Sequence, residues 1–175
     1  MKLSIYYTPP QGLRQNLMMN LVKWVSPLYV FLFKQNANIW QENRQTLLAR
    51  QVDSFGFALG HFLEKNGIDL MPHLETHDVY HLISGCPTTV QGEAELIFFI
   101  LGNGKRSLFT LGSACLSFIL MPEWWGLYAK SYQRGKSFAY FVHEDFEQWL
   151  DLPMQEVWKK VIGISEQLTV NSYQN

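Results

Sequence analysis

The sequence predicts an all-α protein, a single domain of about six helices, and three observations lead there. Apolar residues recur at three- and four-residue steps over long stretches, while the alternation of half-buried strands is scarce. Gly, Pro and Asn-Gly signals fall between those stretches, where helices would stop. The 175 residues make one domain's worth of chain, and no repeat or Pro-, Gly- and Ser-rich linker divides them.

Composition narrows the function classes. Apolar residues make up 47% and charged residues 17%, below the roughly 25% usual for soluble domains. Twelve Phe, eight Tyr and six Trp supply more ring area than a small core needs, which suits a lipid pocket or membrane face as well as packing. A formal net charge of −1 with no Lys/Arg cluster argues against nucleic acid as a partner. Cys86 and Cys115 form no Cys-x-x-Cys pair, so they support neither a disulfide framework nor a zinc finger, and two buried thiols are expected. The opening residues lack a secretory pattern, which predicts a cytoplasmic chain able to sit peripherally on the inner face of a membrane.

The elements follow in order. Over 13–33, Leu13, Leu17, Leu21, Trp24, Leu28 and Phe31 share one face of an amphipathic helix, kinked at Pro27. Lys23 and Lys34 leave it short of the roughly 20 apolar residues of a bilayer span, so it lies on a membrane or packs in the core. A second helix is expected over 45–66, stopped at Asn66-Gly67. A third runs from Leu74 to Ser84 and closes at Gly85-Cys86-Pro87; Thr88-Thr89 then opens a fourth from Val90. Gly102-Asn103-Gly104 breaks the chain.

Ser107 to Pro122 carries no charged side chain and is short for a span, so a buried core helix is expected there. Within it Gly112, Ser113 and Ala114 would let another backbone or a ligand tail approach. Trp124-Trp125 is a second candidate for membrane contact and leads into a helix over 128–136. Short helices are expected over 143–150 and 154–162, the latter with Pro153 at its first turn, and the tail after Glu166 should fray.

The chemistry concentrates in His77-Asp78-Val79-Tyr80-His81, followed after eleven residues by Glu93. Residues four apart on a helix stack one turn above each other, so His77 and His81 can direct their imidazoles at one point. Glu93 lies about one turn past the Thr88-Thr89 cap, and the Pro87 corner can fold its carboxylate back toward the pair. Asp78 is rotated by roughly 100° from His77, and is either a further ligand or an acid that orients an imidazole. A bare His-x-x-x-His pair is more often two hydrogen-bonded core histidines; adding Asp78 and Glu93 at a capped corner turns the balance toward metal. Zinc is favoured for such a donor set, with magnesium, iron or manganese as alternatives.

The string from His77 to Glu93, with its Pro-Thr-Thr and Gly-Glu, closely resembles the metal motif His-Asp-x-x-His-x11-Glu of the ubiquinone (coenzyme Q) biosynthesis protein 4 family. The likeness extends through Phe55 to Gly67 and through Ala129 to Gly163, so residues 53–165 read as the family-like core. It implies an all-helical homodimer that binds a divalent metal on His77, Asp78, His81 and Glu93 together with a long isoprenoid tail, lies against a membrane, and holds quinone-biosynthesis enzymes together. The family has also been assigned removal of the ring carboxylate, with hydroxylation at that carbon, from a prenylated benzoate, which makes Glu93 and Asp78 possible catalytic groups.

Two functions thus stand side by side. One is a metal-dependent enzyme, leaning to a decarboxylase, on a prenyl-tailed aromatic acid. The other is a non-catalytic isoprenoid carrier or scaffold, with an apolar channel walled by Leu108, Gly112, Cys115, Phe118 and Ile119 and an anionic head group met by Arg106 and Arg134. A phosphohydrolase of the His-Asp type is a weaker third reading, needing His61 or His73 and Asp145 or Asp151 as further ligands.

Overall fold

The structure is a computed structural model and describes residues 39–162 together with 12–17, 20 and 31. Among residues 39–162 are seven α-helices and no strand: α1 (Arg44–Leu48), α2 (Phe55–Asn66), α3 (Glu75–Ser84), α4 (Val90–Gly102), α5 (Leu108–Leu120), α6 (Trp125–Ser137) and α7 (Met154–Val161). Single 3-10 turns sit at Pro122–Trp124 and Phe146–Trp149. Of the amphipathic segment expected over 13–33, residues 13–17, 20 and 31 are helical and the rest lies outside the described residues, as does the tail after Glu166.

Side-chain caps set most helix starts. Asn43 accepts from Gln45 and Thr46 at α1, Ser54 from Phe57 at α2, Thr89 from Gly92 at α4 and Ser107 from Thr110 at α5. α2 and α3 stop at Gly67 and Gly85, whose φ values of 66° and 67° lie in the left-handed region that favours glycine.

Three expectations are corrected. The helix expected over 45–66 is broken between α1 and α2, because Phe55 and Gly56 donate their backbone N–H groups to Leu152 and Leu150 at 2.8 Å each, and this long-range pairing starts α2 afresh at Ser54. The 143–150 segment forms turns and one 3-10 turn, since its backbone N–H groups reach back three residues, Glu144 to Phe141 and Gln148 to Asp145. Cys115 is exposed, so only Cys86 is a buried thiol.

The main core gathers Leu47, Phe55, Leu59, Leu63, Val79, Tyr80, Leu96 and Phe99 with Phe141, Phe146, Val157 and Val161. Each such side chain contributes about 1.5–3 kcal/mol on burial. A smaller core holds Val90, Ala94, Met121 and Tyr128, with Phe98 stacked on Tyr128 at 4.2 Å between ring centroids. α4 and α6 approach so closely that a Cβ on Gly102 would lie 2.1 Å from the Tyr132 carbonyl oxygen, and one on Gly135 2.0 Å from that of Phe99. At the end of this crossing the buried Asn103 amide donates to the carbonyls of Gly135 (3.1 Å) and Ala139 (2.9 Å) and accepts from the Phe141 N–H (3.1 Å). Thus the Gly102-Asn103-Gly104 break also fastens three segments together.

α5 departs most from its expected place. Its buried residues are Thr110, Ala114 and Ser117, while Leu108 is 81% and Ile119 73% exposed. The helix buries small and polar side chains, with Leu120 packed on the smaller core, while Leu108, Leu111, Phe118 and Ile119 turn outward. Among the described residues a Cβ on Gly112 would meet nothing within 4 Å, so no described backbone approaches there. All five residues expected to wall a channel lie away from the buried side of this helix: Leu108, Cys115, Phe118 and Ile119 are exposed, as is Gly112.

Candidate metal centre

The corner between α3 and α4 builds the site. Gly85 turns the chain out of α3, and Thr89 caps α4 so that Glu93 falls in its first turn, its N–H donated to the Thr89 carbonyl at 2.8 Å. Gly92 lets this corner close, because a Cβ there would sit 1.9 Å from the Pro87 carbonyl oxygen. The corner is pinned to α2 by Thr88, whose hydroxyl donates to the Asn66 side-chain oxygen at 3.1 Å.

Three donor atoms converge. His81 Nε2 lies 3.2 Å from His77 Nε2 and 3.1 Å from Glu93 Oε1, and His77 Nε2 lies 3.1 Å from Glu93 Oε2. One ligand atom from each of the three residues thus falls within 4.8 Å of the others. His81 is 1% exposed, faces the Phe62 ring of α2, and bonds through Nδ1 to the Cys86 carbonyl at 2.9 Å. A carbonyl only accepts, so Nδ1 carries the proton and Nε2 presents a lone pair to the cluster.

A lone pair, a second imidazole nitrogen and a carboxylate in mutual contact need a cation between them. In the metal-free protein that cation is a proton: burial pushes His77 down, but the Glu93 charge and hydrogen bond outweigh it and raise its pKa above the ordinary value. Burial likewise raises Glu93, yet the two imidazoles hold its carboxyl far below the usual range. A metal fits the same place. Tetrahedral ligands about 2.0–2.1 Å from zinc stand roughly 3.3 Å apart, close to the separations here, and the donor types suit zinc.

Asp78 is not brought into this group. The residue is 8% exposed, and its carboxyl has no hydrogen bond among the described residues and is pushed by burial up to about 6 despite the nearby imidazoles. It stands beside the cluster as a buried acid that the two imidazoles compensate only in part, where a bound cation would favour its ionised form.

The other predicted residues separate. Arg134 reaches the corner, its Nη2 3.2 Å from Cys86 Sγ and its guanidinium 5.2 Å from the Phe99 ring centroid, whereas Arg106 is exposed. Asp151 pairs with Arg50 and Asp145 accepts from Gln148, and none of His61, His73, Asp145 or Asp151 joins the donor cluster. Sequence reasoning missed the Cys86 carbonyl as the group orienting His81, because a backbone acceptor leaves no residue signature. Lys105 also comes close to this region: its Nζ lies 3.1 Å from the Tyr80 hydroxyl and 4.4 Å from that ring's centroid, and its charge opposes protonation of His77. The tyrosine hydroxyl in turn donates to the Val142 carbonyl at 2.8 Å.

No protein-family model matches the chain, and no curated protein matches it. The candidate metal site rests on the convergence of His77, His81 and Glu93, which could hold one ion.

Proposed function

We propose that this chain is a divalent-metal-binding protein of ubiquinone or related isoprenoid-quinone biosynthesis, which holds the anionic head group of a prenyl-tailed aromatic acid at the His77, His81 and Glu93 centre. The observation that carries the reading is the meeting of two imidazole nitrogens and one carboxylate at 3.1–3.2 Å, with one imidazole locked by a backbone carbonyl. Three protein ligands leave a position for a substrate oxygen. His77, whose side chain is 42% exposed, is the side from which a ligand would enter.

The donor set is one that zinc takes in hydrolytic sites and iron(II) takes in oxygen-using sites. When bound, such a metal would supply Lewis acidity or oxygen chemistry toward the ring carbon that bears the carboxylate. The chain's own residues would orient the head group and hold protons: Asp78 is a buried carboxyl beside the cluster, and Lys105 supplies a nearby positive charge.

The test is to load the protein separately with zinc and iron(II) and supply a prenylated hydroxybenzoate with dioxygen. Loss of carbon dioxide with hydroxylation of the ring, abolished in Glu93→Ala, supports the enzyme; binding of the acid without turnover under either metal supports a carrier or scaffold. The carrier reading draws on one observation of its own, the outward apolar face of α5. Absence of both binding and turnover defeats the proposal.

A further inference from the structure

The donors of the metal centre come from two helices. His77 and His81 sit on α3 and Glu93 on α4, and along the chain only the corner from Gly85 to Thr89 joins them. Two contacts shape the corner from within: Gly92 lies against the Pro87 carbonyl, and the Cys86 N–H donates to the Ser84 hydroxyl at 3.1 Å. A further set of contacts reaches it from outside, from the last turn of α2.

That turn touches both sides of the centre. Phe62 and Asn66 are four residues apart in α2, so their side chains lie one turn above each other. The Phe62 ring faces His81 nearly parallel, 17° between planes with centroids 6.3 Å apart. The side-chain nitrogen of Asn66 donates to the Phe62 carbonyl at 2.8 Å. A carbonyl only accepts, which fixes the amide's orientation and turns its oxygen toward the Thr88 hydroxyl, 3.1 Å away. Thr88 precedes the Thr89 cap, whose side chain accepts from the Gly92 N–H and whose carbonyl accepts from the Glu93 N–H at 2.8 Å. Contacts thus run unbroken from the His81 ring through Phe62, Asn66 and Thr88 to the first turn of α4, where Glu93 stands. Neither helix end requires the Asn66–Thr88 bond, because Gly67 stops α2 and Thr89 caps α4. Its effect is to tie α2 to the start of α4.

We propose that Asn66 is a positioning residue of the metal centre, which through the Thr88 hydroxyl holds the start of α4 where Glu93 meets His81. The inference rests on the metal reading given above and adds to it a residue that touches no ligand. Metal sites tolerate about 0.5 Å of misplacement, so a shift of α4 small enough to leave the fold intact still reaches the site. Groups that orient ligands commonly change metal affinity by about 10–100-fold; Asn66 acts through Thr88 and the cap, so about tenfold is expected.

The test is titration of the full chain with cobalt(II), followed by its visible d–d absorption, in Asn66→Ala, Thr88→Val, Thr88→Ser and the Asn66→Ala/Thr88→Val double variant. Thr88→Val keeps the side chain's shape and removes only the hydroxyl. Asn66→Ala and Thr88→Val are each expected to weaken cobalt binding about tenfold and to change the absorption spectrum, while Thr88→Ser matches wild type. The double variant should bind no more weakly than either single one, because both substitutions break the same bond. Ser107→Ala, which removes the cap of α5, should lower the urea midpoint yet keep the wild-type cobalt affinity and spectrum. Asn66→Ala and Thr88→Val within about twofold of wild type, with its spectrum, overturn the inference and leave the metal reading standing. An equal loss of affinity in Ser107→Ala also overturns it, since general loosening would then account for the effect. A wild-type chain that takes up no cobalt overturns the metal reading and this inference with it.

Discussion

At the α3–α4 corner, side chains that water would solvate well are turned inward; on α5, side chains that water solvates badly are turned outward. His81 and Asp78 are 1% and 8% exposed, Leu108 and Ile119 81% and 73%. The two regions break the same rule in opposite directions, and each departure costs free energy that a cation or an apolar phase would return. Regions that contradict the burial rule are where ligands are to be sought, and the pair makes the contrast testable.

The largest effect should come from the corner's carboxylate. Glu93→Ala removes one of three donors and leaves the imidazoles without their counter-charge, so metal affinity measured by calorimetry should fall more than about 100-fold. An affinity within a few-fold of wild type would break the corner's side of the contrast. Next comes Gly92→Ala, which forces a Cβ onto the Pro87 carbonyl and should cost about 2–4 kcal/mol in urea unfolding as the corner opens. Asn103→Ala strands the Phe141 N–H and two carbonyls in the interior and should cost about 2–3 kcal/mol by the same measurement.

The pH dependence sharpens the corner's chemistry. The metal must displace the proton that His77 holds in the free protein, so affinity should rise with pH until it passes the raised His77 value, and proton release on binding should be visible in buffers of different ionisation enthalpy. Stability of the metal-free chain carries the opposite sign from Asp78. Its native pKa of about 6 lies above the ordinary 3.8, so the folded state binds the extra proton and Asp78 makes stability fall as pH rises from about 4 to 6. Asp78→Asn should flatten that part of the curve. The smallest effect belongs to α5: Leu108→Ala should change unfolding free energy by less than about 0.5 kcal/mol, because the side chain is already in water.

Much of the fold was legible in the sequence, for local reasons. Gly67, Gly85, Ser107 and Thr89 act through their own backbone neighbours, so the ends of α2 and α3 and the starts of α4 and α5 follow from residue type. The His77, His81 and Glu93 grouping follows from helical spacing plus a capped corner, both local. What could not be read depends on partners far along the chain. The break between α1 and α2 is made by carbonyls of Leu150 and Leu152, nearly a hundred residues away. The orientation of α5 does not follow from apolarity alone, because its Thr110, Ala114 and Ser117 form a small-residue face inside the long apolar run. Asp78 is neighbour to His77 in sequence, yet the helix carries it to the side of the cluster.

The central claim is that His77, His81 and Glu93 hold one metal ion, and native mass spectrometry of the chain supplied with zinc tests it most directly. One metal equivalent per chain, retained in Asp78→Asn and lost in both His81→Ala and Glu93→Ala, is the predicted result. A chain free of metal, or a metal that survives the loss of His81 and Glu93, would contradict it.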